Sequence, residues 1–328
     1  MQAWLLSDFR GLSAMQLAEA RDPTPASGEV VVDLEYAALN PADRYLSQGE
    51  YPAKPKLPHV LGRDGVGIIS SVGANVSQFK IGQRVLIIRG DAGVHCWGTL
   101  AQRVAVSADS LATIPPGWSI PQSAAAALVY ITSHQALLQW GDLPPGIVLI
   151  TGASGGVGVA SVQLAKALRH TIVALSRDSA KRENLHQLGA DHVVDPTDPQ
   201  WPANLKKTLG AARVDLAIDN IGGAMLPQVI ETMGHFGKIS VVGRLAGVVP
   251  NFNTGTLFFR RLRIGGVAIS TNSVSESQAA WNTVLDLLAR TGAKPVIDSI
   301  HPFADVPAAF QRLAAGPMGK VLVEIRKS

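Results

Sequence analysis

The sequence predicts an α/β protein in which a doubly wound parallel sheet is joined to a second, β-rich domain. Three observations predict this. First, the apolar run Val148-Leu149-Ile150 leads into the glycine-rich stretch Thr151-Gly152-Ala153-Ser154-Gly155-Gly156-Val157-Gly158, which opens an apolar helix from Val159 to Leu168. Second, strand and helix patterns alternate from Pro121 onward, the order that builds a parallel sheet with helices on both faces. Third, residues 1 to about 120 read as short strands broken by Gly and Pro, the pattern of a partly antiparallel barrel or sandwich.

In that first stretch Glu29 to Ala37 alternates as a strand after the turn-rich segment Pro23 to Gly28. Gly65 to Val72, Gly82 to Ile88 and Gly98 to Val106 follow as strands, and Thr113 to Gly117 reads as a turn or linker. Ser123 to Trp140 is alanine-rich, has no internal Gly or Pro, and reads as one helix. Beyond it, strands fall at 147–151, 171–175, 192–194, 214–219, 237–242 and 264–269, with helices at 159–169, 179–188 and 224–233. A helix begun near Ser275 continues through Thr283 to Ala289, and the tail from Pro302 to Arg326 gives a helix and a last strand, Val321 to Ile325. A chain of 328 residues is long for one core. The expected division is a dinucleotide-binding domain at 121–271 and a discontinuous substrate domain at 1–120 and 272–328, the tail packing back on the first stretch.

The glycine turn points to a phosphate-bearing ligand. A helix N-terminus offers unpaired N–H groups and the positive end of the helix dipole. Gly155 lets the backbone approach a pyrophosphate, and Gly158 lets helix and strand pack closely, while Ala153 stands where the first glycine of G-x-G-x-x-G would be. The next strand ends in Ser176-Arg177, with Lys181 one helical turn further on. An NAD site carries Asp or Glu at that strand end for the ribose hydroxyls. A carboxylate would repel a 2′-phosphate, whereas a hydroxyl and two cations would hold it, so these residues favour NADPH over NADH.

Composition narrows the partners. Hydrophobic residues make up 47% and charged residues 16%, which suits a buried parallel sheet. The net charge of +4 comes without a long basic run, and Arg260-Arg261-Leu262-Arg263 is too short to suggest a nucleic-acid surface. The single cysteine, Cys96, rules out an intramolecular disulfide and fits a reducing compartment. No apolar run is long enough to span a bilayer, and Met1-Gln2-Ala3-Trp4-Leu5 lacks the basic and apolar regions of a signal peptide. The expectation is a cytoplasmic protein with neither membrane nor nucleic-acid partner.

Several stretches, in order along nearly the whole chain, resemble the medium-chain dehydrogenase/reductase superfamily and, within it, the zinc-independent NADPH:quinone oxidoreductase branch. They are Asn40-Pro41-Ala42-Asp43-Arg44-Tyr45, then Gly49, Tyr51 and Pro52, and Leu57-Pro58-His59-Val60-Leu61-Gly62-Arg63-Asp64-Gly65. The helix Ala125 to Leu137, the glycine turn, Leu188-Gly189-Ala190-Asp191, Asp219-Asn220-Ile221-Gly222-Gly223 and Gly319-Lys320-Val321 complete the set. The resemblance implies a Rossmann domain plus a GroES-like barrel, and a homodimer paired through the strand at Gly265 to Ile269. Zinc members of the superfamily carry Cys where this chain has Asn40 and Gly-His-Glu where it has Gly62-Arg63-Asp64. Their structural zinc lobe needs four cysteines, so no metal is expected, and His95-Cys96 reads as a plain loop pair.

By the same resemblance Ser154, Gly155, Gly156 and Val157 meet the pyrophosphate, and Ser176, Arg177 and Lys181 the adenosine phosphate. Asn40, Thr132, Asn220 and Gly243 line the cofactor, and Lys320 reaches the pyrophosphate. The implied activity is hydride transfer from NADPH to a quinone or an α,β-unsaturated carbonyl. Negative charge develops on the acceptor's oxygen, and Tyr45, Tyr51 and Asn40 are the candidate donors to it. Arg63 and Asp64 either line the pocket or form an internal ion pair. Asp43 reads as ordering its own turn, and His134 as a satisfied helical polar residue. Two other readings stay open: an NADP-linked alcohol dehydrogenase-like enzyme, and a weakly catalytic NADPH-binding protein with a sensor or structural role.

Overall fold

A computed structural model describes residues 1–88, 91–248 and 250–326. Val249 lies outside them. The chain forms two compact units. One comprises Met1–Leu128, Asn272–Trp281 and Lys294–Ser328, the other Val129–Thr271 and Asn282–Ala293. The borders fall at 128/129, 271/272, 281/282 and 293/294, the first and third of them inside helices, so Asn282–Ala293 groups with the second unit.

The elements of the first stretch are β1 (Gln2–Leu6), β2 (Met15–Glu19), β3 (Glu29–Ala38), α1 (Pro41–Ser47), β4 (His59–Val60), β5 (Asp64–Val72), β6 (Arg84–Ile87), β7 (Arg103–Ser107), β8 (Leu111–Thr113), α2 (Ile120–Ala124) and α3 (Ala127–Leu138). The middle stretch gives β9 (Ile147–Ile150), α4 (Gly156–Ala167), β10 (Thr171–Leu175), α5 (Ser179–Gln187), β11 (His192–Val194), α6 (Trp201–Leu209), β12 (Val214–Asp219), α7 (Met225–Thr232), β13 (Met233–Val241), α8 (Gly255–Arg260), β14 (Arg263–Gly266) and α9 (Val274–Thr291). The tail adds β15 (Ile297–Pro302), α10 (Val306–Ala314) and β16 (Lys320–Glu324).

In the first unit a three-stranded sheet runs β2-β1-β4, and a larger one runs β15-β16-β3-β5-β6-β8, with β7 also on β3. The tail strand β16 pairs antiparallel with β3, Leu322 opposite Ala38. Alternation on β3 and β5 turns Val30, Val32, Leu34 and Ile69 into one core with Leu46, Leu100, Phe310 and Val323. The second unit is a six-stranded parallel sheet in the order β11-β10-β9-β12-β13-β14. This is the doubly wound arrangement, with the order reversing between β9 and β12. Leu149, Val173, Ala217 and Ile239 are buried, as strands covered on both faces require.

Some expected elements change for identifiable reasons. The helix read from Ser123 to Trp140 is two helices, α2 and α3. A Ser119/Gln122 capping box starts the first. The second starts afresh because the Asp64 carboxylate accepts the Leu128 N–H at 3.1 Å, an anion at a helix N-terminus. The strand expected from Gly98 begins only at Arg103. Residues 98–100 instead bond to Val60, Leu61 and Gly62, and a Cβ on Gly98 would lie 2.2 Å from the Gly62 carbonyl oxygen. Strands β1, β2, β4, β8 and β15 and helices α1, α6 and α8 escape the sequence reading altogether. The short α1 depends on Asp43, whose Oδ2 accepts the Asn40 N–H at 2.9 Å, so Asp43 does order its own turn.

Asp298 closes the tail. Its carboxylate accepts Arg312 Nε at 2.6 Å and Nη2 at 2.5 Å, and also the Met318 N–H at 2.8 Å. Burial favours the neutral acid, but these bonds outweigh it and hold the carboxyl below its usual range. A lowered carboxyl stabilises the fold above the unfolded value of about 3.9 and ceases to do so as pH falls through the lower folded value. Asp298→Asn should therefore cost about 1–2 kcal/mol at pH 7, less than a fully buried pair because Arg312 is partly exposed. Denaturant unfolding across pH should show that gap closing below about pH 4.

Candidate functional site

Two polar sites emerge, one in each unit. In the second unit the site lies at the carboxyl ends of β9 and β12, where the strand order reverses. Helix α4 begins at Gly156 with no side chain capping it, and its first bond runs from Val159 N to Gly155 O at 2.8 Å. The preceding N–H groups thus face outward with the dipole behind them. A Cβ on Gly158 would sit 2.3 Å from the Gly152 carbonyl oxygen, so the protein itself demands glycine there. A Cβ on Gly155 would meet nothing closer than 3.5 Å, and the backbone at Gly155 has φ −73°. The protein leaves that space open, and a ligand lying against the turn would use it.

Asp219 ties the two strand ends together. Its Oδ1 accepts Thr151 Oγ1 at 2.8 Å, Ile221 N at 3.1 Å and Gly222 N at 3.0 Å. Asn220 Nδ2 donates to the Thr151 carbonyl at 2.8 Å, and its Oδ1 is buried without a partner. Asp219 Oδ2 is likewise unpartnered. Orphaned acceptors beside an uncapped helix start fit a dinucleotide with donor groups of its own. Gly243 has another duty: a Cβ there would lie 2.2 Å from the Asn220 carbonyl oxygen, so strand packing alone requires glycine. Thr132 is buried in α3.

Ser176 Oγ donates to Ser154 Oγ at 3.5 Å, which joins the phosphate turn to the end of β10. Arg177 is exposed, and Lys181 Nζ lies 3.7 Å from Asp178 Oδ2. Arg182, which the sequence reading passed over, braces the edge. Its Nη1 donates to the carbonyls of Ser176 at 2.9 Å and Arg177 at 3.1 Å, and to Asp195 at 2.9 Å. Thr151 and Asp219 were passed over too. The available signal was a carboxylate closing the buried apolar run Leu216-Ala217-Ile218.

The polar site of the first unit centres on Lys320. Its ammonium donates to Leu39 O at 3.0 Å, Asn40 Oδ1 at 2.7 Å and Asp64 Oδ2 at 3.0 Å. Asn40 Nδ2 donates to the same Asp64 oxygen at 3.0 Å. An ammonium has three protons, and all three have acceptors here. The resemblance sends Lys320 to a pyrophosphate and Asn40 to the acceptor's oxygen; inside this unit both side chains are committed to Asp64 and to each other. Arg63 and Asp64 do not pair. Neighbours on extended backbone point to opposite sides, and Arg63 turns to Asp43, with Nε 3.8 Å from Oδ1. Arg63 Nη1 also donates to Tyr51 Oη at 3.0 Å. The Tyr45 ring lies under the Arg44 guanidinium, with Cζ 5.6 Å from the ring centroid. Burial pushes the Asp43 carboxyl up, against the nearby charge of Arg63. Burial likewise pushes the His134 imidazole down. Among the described residues no group of three His, Cys, Asp or Glu could hold a metal ion.

Removing Lys320 would leave the Asp64 carboxylate buried beside a single side-chain donor. Lys320→Met should destabilise the protein by about 3–5 kcal/mol, the range for breaking a buried pair. Thermal unfolding should show the Lys320→Met/Asp64→Asn double variant losing less than Lys320→Met alone, because the stranded charge is gone.

Comparison with known proteins supports this architecture. Residues 26–116 match the family described as alcohol dehydrogenase GroES-like domain, and residues 156–290 the family described as zinc-binding dehydrogenase. The quinone oxidoreductase of Sus scrofa is 27% identical over 327 residues, covering 98% of this chain and 97% of that protein. The crystal structure of Escherichia coli quinone oxidoreductase complexed with NADPH superposes with a TM-score of 0.89 at 25% identity, covering 99% of this chain and 100% of that one. The crystal structure of an NAD-dependent alcohol dehydrogenase gives a TM-score of 0.92 at 28% identity, over 99% of this chain and 100% of that one. With its Rossmann and GroES-like units, the chain belongs to the medium-chain dehydrogenase/reductase superfamily, in the quinone oxidoreductase-like branch.

Proposed function

We propose that this protein is an NADPH-dependent reductase that passes hydride to a quinone or an α,β-unsaturated carbonyl and works without zinc. One observation carries the reading. The open helix start at Gly155 shares a unit with a Ser176-Arg177-Lys181 edge, where NAD sites place a carboxylate. The similarity to quinone oxidoreductases, one of them solved with NADPH, supports the same choice. Ser154, Gly155, Gly156 and Val157 then face the pyrophosphate, and Thr132 and Asn220 lie toward the nicotinamide end. The reduced nicotinamide, when bound, supplies the hydride.

As hydride reaches a conjugated carbon, the carbonyl electrons move onto oxygen. A hydrogen-bond donor at that oxygen is worth more in the transition state than before it. Tyr45 and Tyr51 are the donors in this reading, and Asn40 caps the helix that carries Tyr45. Hydride plus one proton turns a quinone into its hydroquinone, or an enone into the saturated carbonyl. Zinc has no part because Asn40 and Arg63 replace its Cys and His ligands, and because the Lys320 ammonium already stands among the remaining oxygens. A fixed positive charge there repels a second cation. The reading extends to a cytoplasmic homodimer paired through β14, the end strand of its sheet, whose outer edge offers unpaired backbone groups.

A second reading, an alcohol dehydrogenase-like enzyme, is favoured by the 28% identity to the alcohol dehydrogenase structure. Stoichiometric zinc in the purified protein together with oxidation of simple alcohols would replace the reductase reading by this one. The cofactor assignment is tested by calorimetric titration. NADPH should bind at least about tenfold more tightly than NADH, a difference of about 1.4 kcal/mol. Arg177→Ala should remove most of that preference. Equal binding of NADH by the unaltered protein would overturn the 2′-phosphate assignment.

A further inference from the structure

The contact between Arg63 and Tyr51 is where the structure goes beyond the reading above. Gly62, at φ +98°, sets the turn just before Arg63, and the Arg63 side chain that follows is only 11% exposed. Its guanidinium reaches Tyr51 in two ways. Nη1 donates to the phenol oxygen at 3.0 Å, and Cζ lies 4.5 Å from the ring centroid. From behind, Asp43 faces Nε at 3.8 Å, and Asp43 is fully buried with its other oxygen fixed by the Asn40 N–H. Arg63 Nε and Nη2 and Asp43 Oδ1 have no hydrogen-bond partner, so the guanidinium directs its hydrogen bonding to Tyr51.

A phenol oxygen that accepts a bond from a cation must send its own proton elsewhere. Among the described residues that proton has no acceptor, and Tyr51 is half-buried rather than sealed. We propose that Arg63, braced by Asp43, is a positioning residue that holds the Tyr51 hydroxyl with its proton turned outward, as the donor to the acceptor's carbonyl oxygen. This rests on the reductase reading. In the reaction, hydride comes from NADPH, the carbonyl electron pair moves to oxygen, and Tyr51 gives that oxygen its proton. Water then returns a proton to Tyr51. Negative charge passing through the phenol oxygen meets a fixed guanidinium 3.0 Å away. The acceptor class that benefits is one whose charge gathers on a single oxygen, as in a quinone or an enone.

The test is steady-state reduction of a benzoquinone and of a simple enone by the full-length protein. Variants are Arg63→Met, Arg63→Lys, Tyr51→Phe and the Arg63→Met/Tyr51→Phe double. Arg63→Met and Tyr51→Phe should each lower kcat by about tenfold to a hundredfold, toward the low end of a lost proton donor, while KM for NADPH stays unchanged. The double variant should fall no further than Tyr51→Phe, because both changes remove one device. Arg63→Lys should recover part of the rate, and the solvent deuterium isotope effect on kcat should change in Arg63→Met. Losses that multiply in the double, or an unchanged kcat with a lowered Tm in Arg63→Met, would overturn the proposal. If Arg63→Met fails to fold, Arg63→Lys and Tyr51→Phe decide it, since equal isotope effects in unaltered protein and Tyr51→Phe would refute the donor role. Absence of turnover by the unaltered protein on every quinone and enone would instead overturn the reductase reading, and this proposal with it.

Discussion

A carboxylate buried at the end of a strand must be given donors, or the strand end cannot stay in the core. Both units are organised around one such group. In the second unit Asp219, fully buried, collects Thr151 and two backbone N–H groups and so fixes β12 against the turn that follows β9. In the first, Asp64 collects Lys320, Asn40 and the Leu128 N–H, and so ties the end of β3 and the starts of β5, α3 and β16 to one point. Each charge costs several kcal/mol to bury, and the hydrogen bonds it accepts offset that cost. That demand makes these positions intolerant of change and makes the backbone around them precise.

Precision of that kind is what the chemistry uses. The strand order of the second unit reverses at the paired strands β9 and β12, and Asp219 joins their carboxyl ends through Thr151. Around it the glycines divide their labour. Gly158 and Gly243 serve the protein's own packing, whereas Gly155 leaves room the protein does not fill. In the first unit the buried charges form two chains with different ends. Lys320, Asn40 and Asp64 close on themselves. Asp43 and Arg63 end on the Tyr51 hydroxyl, which is half-buried.

What was legible in the sequence was local. The glycine turn, the strand from Thr171 to Leu175 and its Ser176-Arg177 end lie within about thirty residues, and their pattern follows from backbone reach and helix dipole alone. The parallel, doubly wound sheet followed from the alternation of elements. What was hidden was long-range. Asp64 meets Asn40 across 24 residues and Lys320 across 256, so no spacing rule links them. The break between α2 and α3 was invisible because alanines carry no stop signal; Asp64 imposes it from outside by capping Leu128. Arg63 and Asp64 read either as pocket lining or as an ion pair, and their adjacency on extended backbone is what sends their side chains to different partners. Arg182 looked like one more exposed helical cation, and only the folded loop shows the two carbonyls it braces.

The central claim is that the turn after β9 is shaped for a dinucleotide rather than for the protein alone. The most direct measurement is a paired one, of Tm and of NADPH affinity, on Gly155→Ala. A methyl there meets no protein atom closer than 3.5 Å and needs no unusual backbone angle, so stability should stay within about 1 kcal/mol. Affinity should nonetheless fall at least about tenfold, because the methyl occupies the space the pyrophosphate needs. A fall in Tm with affinity unchanged would contradict the account, since the glycine would then serve the fold and the turn would lose its ligand.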